Sequence, residues 1–301
     1  MQDTNQEFNF ESLKKAGEIT SKAREFGKQL IKPGVKISYV VEQVENKIYE
    51  LGGKLAFPVN ISLNETAAHD TARINDNRVF KDEVIKLDVG AHIDGWIGDS
   101  ACTVDLSGEN SKLVEASQKA LSEAIKIIKK GVTLGDIGKK IEDTIKSYGF
   151  NPVRNLAGHQ IGNYVIHTGT SIPNYDTKET QEIKAGTTFA IEPFATTGIG
   201  MIEERGQPEI FSIENFKPIR LQLARDIMKY IGTNYLTLPF SNKMLAKKFN
   251  ENKIRIALKM LNNNGTLKQY RPLVERSDGL VSQAEHTLYV NEDWNVHILT
   301  K

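Results

Sequence analysis

The sequence predicts an α+β fold of two similar halves, with a helical insertion ahead of the final strands. Three observations carry this expectation: an internal repeat at an offset of 97 residues, helical periodicity followed by β-branched stretches in each half, and a return to helical spacing between residues 216 and 273. A chain of 301 residues with 39% hydrophobic side chains can bury a sizeable core, as one large domain or two small ones.

The repeat is legible residue by residue. Residues 31–52 read IKPGVKISYVVEQVENKIYELG and residues 128–149 read IKKGVTLGDIGKKIEDTIKSYG. Ile31, Gly34, Val35, Glu45, Ile48 and Gly52 thus match Ile128, Gly131, Val132, Glu142, Ile145 and Gly149. Each copy predicts a helix closing at Gly34 or Gly131, where a left-handed cap costs no Cβ clash, and then a second amphipathic helix. The first helices carry Leu13, Ala16, Ile19, Ala23, Phe26 and Leu30, and Leu113, Ala116, Ala120, Ala124 and Ile127, at three-to-four spacing, so both stripes should face a core. Extended stretches follow at 56–63 and 84–106 in the first half and at 187–192 and 209–213 in the second. Two αα-ββ halves imply pseudo-twofold symmetry. In the insertion, RLQLARDIMKYIG and NKIRIALKMLNNNG each close at a glycine, and strand character resumes at 280–290 and near 296–299.

The opening MQDTNQEFNF is polar and acidic, unlike a secretory signal, and no apolar run approaches membrane length. Cys102 is the only cysteine, which excludes an intramolecular disulfide and fits a reducing, cytoplasmic setting; it is not expected to be catalytic. Formal net charge is +1, yet residues 215–276 hold thirteen Lys or Arg against three Asp or Glu, a local charge of +10 that leaves −9 for the remainder. Such asymmetry suggests a polyanionic neighbour, against the plainer reading of a solvated basic face.

The chemistry concentrates in a hairpin. Asp94-Gly95 is a strong turn signal flanked by VIKLDVGAHI and WIGDSACTV. A turn symmetric about it places Asp99 opposite Gly90 and Asp88 one diagonal step away on the same face. Val84, Leu87, Ile97 and Val104 predict that this hairpin is half-buried, where two converging carboxylates repel unless a cation joins them. Farther along stand His159 in NLAGHQIG, Glu192 in TTFAIEPF and Glu285 in LVSQAEHTLYV, each acid where an apolar residue was due. A glutamate inside such a strand needs a cation or a cluster of donors. Four carboxylates and an imidazole form a hard, oxygen-rich set able to hold two divalent ions, with Mn, Fe, Co and Zn all compatible.

With LDVGAHIDGWIGD, LAGHQIG, AIEPF and AEHT quoted, the chain resembles the methionine aminopeptidases over nearly its whole length. That resemblance implies the pseudo-symmetric pita-bread fold and two metal ions ligated by Asp88, Asp99, His159, Glu192 and Glu285. It implies hydrolysis by water that the cations acidify, with Glu192 also the general base. His69 in ETAAHD and His167 in YVIHTG match two further active-site histidines that contact the peptide, and Phe57 and Ile166 match the lining of the methionine pocket. The basic segment between Glu192 and Glu285 resembles the winged-helix-like insertion of type 2 enzymes, in the archaeal form without a long charged N-terminal extension. The implied organisation is a catalytic region of residues 1–214 and 274–301 interrupted by an insertion at 215–273. The implied partners are nascent polypeptide N-termini, and the +10 charge of the insertion, with Lys243, Lys247 and Lys248, motivates the ribosome as a second partner; no membrane is involved and a monomer is expected. Two other readings compete: a proline-specific peptidase of the same fold, which carries an extra N-terminal domain, and a ribosomal-RNA-binding relative that has lost its metal ligands. All five ligand positions here hold competent residues, which disfavours the second.

Overall fold

Asn9 starts the first helix by accepting the Ser12 N–H on its side-chain oxygen (2.9 Å), and the stripe Leu13, Ala16, Ile19, Ala23 then buries one face of α1 (Phe10–Leu30). In the computed structural model, which describes residues 7–301, α1 is followed by α2 (Ile37–Glu50), and α3 (Ser111–Lys126) by α4 (Leu134–Ser147). α2 and α4 coincide at both ends under the 97-residue offset, as do the short strands Lys54–Leu55 and Asn151–Pro152.

Gly34 and Gly131 do not cap the first helices, as the pattern predicted. α1 stops at Leu30 and α3 at Lys126, and each glycine is instead the third residue of a tight turn closed by Val35 N–H to Lys32 O and Val132 N–H to Lys129 O, both 3.1 Å. The left-handed conformation is there (φ +83° and +84°), but the turn that aims the second helix demands it. Gly52 and Gly149, with φ +86° and +85°, are the residues that follow the helix ends of α2 and α4.

α1 and α2 cover a four-stranded antiparallel sheet of Lys54–Leu55, Asn60–Leu63, Val84–Ile93 and Trp96–Asp105. α3 and α4 cover a five-stranded sheet in the order Val296–Ile298, His286–Val290, Thr187–Ile191, Ala157–Gly162, Val165–Pro173. Each half thus has its own apolar core. Hydroxyls fasten the halves together along the hairpin edge. Ser100 Oγ donates to Glu285 O (2.6 Å), Thr103 Oγ1 to Gln283 O (2.7 Å) and Thr287 Oγ1 to Asp99 O (2.7 Å). In return the Asp99 N–H donates to Thr287 Oγ1 at 2.8 Å, so one threonine brackets the Asp99 backbone.

The insertion holds α5 (Gln222–Asn234), α6 (Asn242–Ala246) and α7 (Glu251–Asn263) beside a sheet in the order Phe240–Ser241, Ile210–Ile213, Leu267–Tyr270. Residues 209–213, assigned by pattern to the second half, are therefore the middle strand of this sheet; alternation reveals a strand but not its partner. Ile227, Ile231, Phe240 and Leu258 join the same apolar cluster as Val40, Val44 and Ile48 of α2, so the insertion packs on the first half.

That packing uses two of the lysines expected to face RNA. Lys243 Nζ donates to Ser38 O (3.0 Å) and Lys247 Nζ meets Glu45 Oε2 at 3.4 Å, where Glu45 is 2% exposed and burial holds its carboxyl above the usual range despite both lysines. The sequence could not show that both lysines find partners on α2. Lys247→Met should strand the Glu45 carboxylate and lower stability by about 1–2 kcal/mol in urea unfolding at neutral pH. Adding Glu45→Gln should return most of it; a single-mutant midpoint equal to the parent would show that the pair contributes nothing.

Candidate metal centre

Asp88 and Asp99 arise from the two strands of one hairpin, whose turn residues Asp94 and Gly95 have φ +48° and +85°, as a primed two-residue turn requires. The register pairs Gly90 with Asp99 and Asp88 with Ala101, so the aspartates are the diagonal neighbours that the turn signal predicted. Opposite Asp88 on its other side stands Asn60.

Glu192 and Glu285 do not lie inside strands. The ladder joining Thr187–Ile191 to His286–Val290 ends at the Ile191–His286 pair and resumes in another sheet as Phe194–Gln283. Pro193 has no N–H to continue it. Both glutamates occupy this break, one on each strand, at the seam between the halves. His159 comes from Ala157–Gly162, which hairpins with Val165–Pro173 through register shifts on either side of Gln160. Such bulges re-aim side chains, and they leave the rings of His159 and His167 4.3 Å apart at their centroids.

The five residues converge. Asp99, His159 and Glu285, all buried, present ligand atoms within 4.8 Å of one another. His159 Nε2 lies 3.6 Å from both Asp99 Oδ2 and Glu192 Oε1, and Asp88 stands diagonally beside Asp99 on the hairpin. Gln283 Nε2 donates to Glu192 Oε2 (3.3 Å) and lies 3.5 Å from Glu285 Oε2. Burial raises all four carboxyls, Asp88 to about 7 and Asp99, Glu192 and Glu285 well above the ordinary range, with mutual repulsion adding to it in the last three. Burial lowers His159 to about 3 and His69 and His167 to about 4. Asp88 Oδ1, Asp99 Oδ1 and Glu285 Oε1 are buried without a hydrogen-bond partner. Orphaned acidic oxygens around a neutral imidazole are what divalent cations neutralise, so the residues present fit the metals that the sequence implied.

These side chains line one cavity of about 370 Å³. Phe57, His69, Ile166 and His167 line it too, so the nine residues that the resemblance implied for ligation, catalysis and substrate binding share one space. His69 adopts φ +64°, a conformation rarely held by a non-glycine residue except where surroundings impose it. The sequence reading missed Asn60, Lys268 and Tyr270 of the lining, and Gln283, which holds Glu192. Asn60 and Gln283 carried a signal, each being a polar residue within an apolar stretch. Cys102 lies outside this cavity, and burial pushes its thiol up to about 11, against a nucleophilic role.

The chain matches the model of metallopeptidase family M24 over residues 11–225. It is 49% identical over 292 residues to the methionine aminopeptidase of Archaeoglobus fulgidus, spanning 97% of this chain and 98% of that protein. To the methionine aminopeptidase of Methanocaldococcus jannaschii it is 47% identical over 293 residues, with the same shares. Among solved structures the fold recurs in a thermophilic Arx1 (16% identity, TM-score 0.83, 97% of this chain and 91% of that one). It recurs in a methionine aminopeptidase from Thermotoga maritima (24%, 0.70, 98% and 99%) and a prolidase from Pyrococcus furiosus (18%, 0.62, 98% and 64%). At these identities the structural likeness is one of fold, the pita-bread architecture. Identity of nearly one half over almost the full length decides the family: the chain belongs to metallopeptidase family M24, among the methionine aminopeptidases.

Proposed function

We propose that the chain removes the N-terminal methionine from nascent proteins and peptides with a small second residue, as a type 2 enzyme of archaeal form using two divalent ions. The observation that carries this reading is the convergence of Asp88, Asp99, His159, Glu192 and Glu285, with acidic oxygens left unpartnered, on a cavity whose wall also holds Phe57 and Ile166. The helical insertion before Leu273 supports the type 2 assignment.

The five residues would hold the ions, which supply an acidified water, a polarised carbonyl and an anchor for the free amine. Phe57 and Ile166, each 7% exposed, form the apolar slot that takes the unbranched thioether side chain and excludes water from it. Glu192, oriented by Gln283, accepts the proton of the attacking water and returns it to the departing amine. His69 and His167 are neutral at physiological pH, so each offers an N–H to the substrate carbonyl oxygen as charge develops there.

Metal-loaded protein should release methionine from Met-Ala-Ser and leave its acetylated form and Ala-Pro-Ser intact, as read by liquid chromatography of products. Equal turnover of acetylated and free peptide would overturn the aminopeptidase reading, and cleavage of Ala-Pro-Ser alone would replace it with the proline-specific one. Titrating metal-free protein with Mn, Fe, Co or Zn, reading stoichiometry and rate together, tests the number of ions.

A further inference from the structure

Among the described residues, Lys268 is the one lysine or arginine lining the cavity. It lies on Leu267–Tyr270 two residues before Tyr270, so both side chains leave the same face of the strand. Its Nζ stands 4.9 Å from the centroid of the Tyr270 ring, and that ring packs edge-on against His69 with centroids 5.3 Å apart. Tyr270 is itself tied down, its hydroxyl 3.2 Å from Ser212 Oγ. Among the described residues no carboxylate pairs with Lys268, while Glu204, the acidic lining residue outside the ligand cluster, lies 3.9 Å from Arg271 Nε.

A gradient of exposure gives the cavity a direction. Phe57, Ile166, Asp99 and Glu285 are buried, whereas Lys268 is exposed. On the reading proposed above, methionine occupies the closed end and the scissile carbonyl lies between the ligand cluster and the two histidines. The rest of the peptide must then leave through the open end, past Tyr270 and Lys268. A fixed, unpaired cation on that path attracts negative charge and repels positive charge.

We propose that Lys268 is a specificity-determining residue that favours peptides with a carboxylate just beyond the scissile bond, either the side chain of an acidic third residue or the terminal carboxylate of a tripeptide. The contact is solvent-exposed, so the preference is modest and falls with salt.

The test uses metal-loaded enzyme at low ionic strength and reads ratios of kcat/KM. Met-Ala-Glu-Gly-amide against Met-Ala-Gln-Gly-amide isolates the side-chain carboxylate; Met-Ala-Gly against Met-Ala-Gly-amide isolates the terminal one. Wild type should favour the carboxylate in at least one pair by about threefold to fivefold, mainly through KM. Lys268→Met should bring that ratio to near one, Lys268→Glu should invert it and Lys268→Arg should keep it. Wild-type ratios of one in both pairs, or ratios unchanged in Lys268→Met, overturn the proposal. Hydrolysis of the neutral amides in the same assay keeps the underlying aminopeptidase reading standing, whereas absence of hydrolysis with any peptide would remove both.

Discussion

His159→Ala should lose bound divalent metal, measured by atomic emission after desalting, and excess ion should partly restore its activity. His69→Ala and His167→Ala should keep the full complement of metal while kcat falls on the order of 10²–10³-fold. The difference follows from placement. His159 Nε2 is 3.6 Å from Asp99 and Glu192 oxygens, inside the acidic cluster, whereas His69 packs on Tyr270 and His167 stands beside His159 on the neighbouring strand. Measuring metal content together with rate separates a lost ligand from a lost donor. If His167→Ala loses metal and His159→Ala retains it, the ligand set must be rebuilt around His167.

Removing the metals should reverse the way stability depends on pH. A carboxyl whose pKa is higher in the folded chain stabilises the fold below its unfolded value of about 4, and that contribution is lost as pH rises through the folded value. Asp88 is raised to about 7 and three neighbouring carboxyls well above their ordinary range, all chiefly by burial. Metal-free protein should therefore lose stability as pH rises from about 4 through about 7, the four carboxyls titrating as one interacting group. Divalent ions bind the deprotonated oxygens, so at a free concentration of 100 times Kd each filled site should add about 2.7 kcal/mol near neutral pH. Urea unfolding at several pH values, with and without Mn, reads both effects. A metal-free protein equally stable at pH 5 and pH 8 would show that the cluster is not held together against its own charge.

Much of this molecule is visible in one dimension because its signals are local. The offset of 97 residues recurs in the ends of α2 and α4, and Asp94-Gly95 sets the register that places Asp88 and Asp99 on one face. A helix stripe and a two-residue turn each involve residues a few positions apart, so their physics is written in the sequence.

Other features depended on contacts between segments far apart in the chain. Glu192 and Glu285 read as strand interiors, yet Pro193 breaks the ladder there, and the break becomes a seam only when Ser100 and Thr103 of the first half and Thr287 of the second join the two. Lys243 and Lys247 read as part of a basic face, but α2 brings Ser38 and the buried Glu45 to them. Residues 209–213 showed strand character without showing that Leu267–Tyr270 would be their partner.

By itself the sequence determined the two-half plan and the hairpin register, because periodicity and turn chemistry act over short range. Only the tertiary structure decided that His159 and His167 become neighbours through a bulged hairpin, that Gln283 reaches Glu192, and that Lys268, without a carboxylate partner among the described residues, lines the same cavity. Burial and the absence of a counter-charge belong to the assembled environment of a side chain, which no stretch of sequence around it contains.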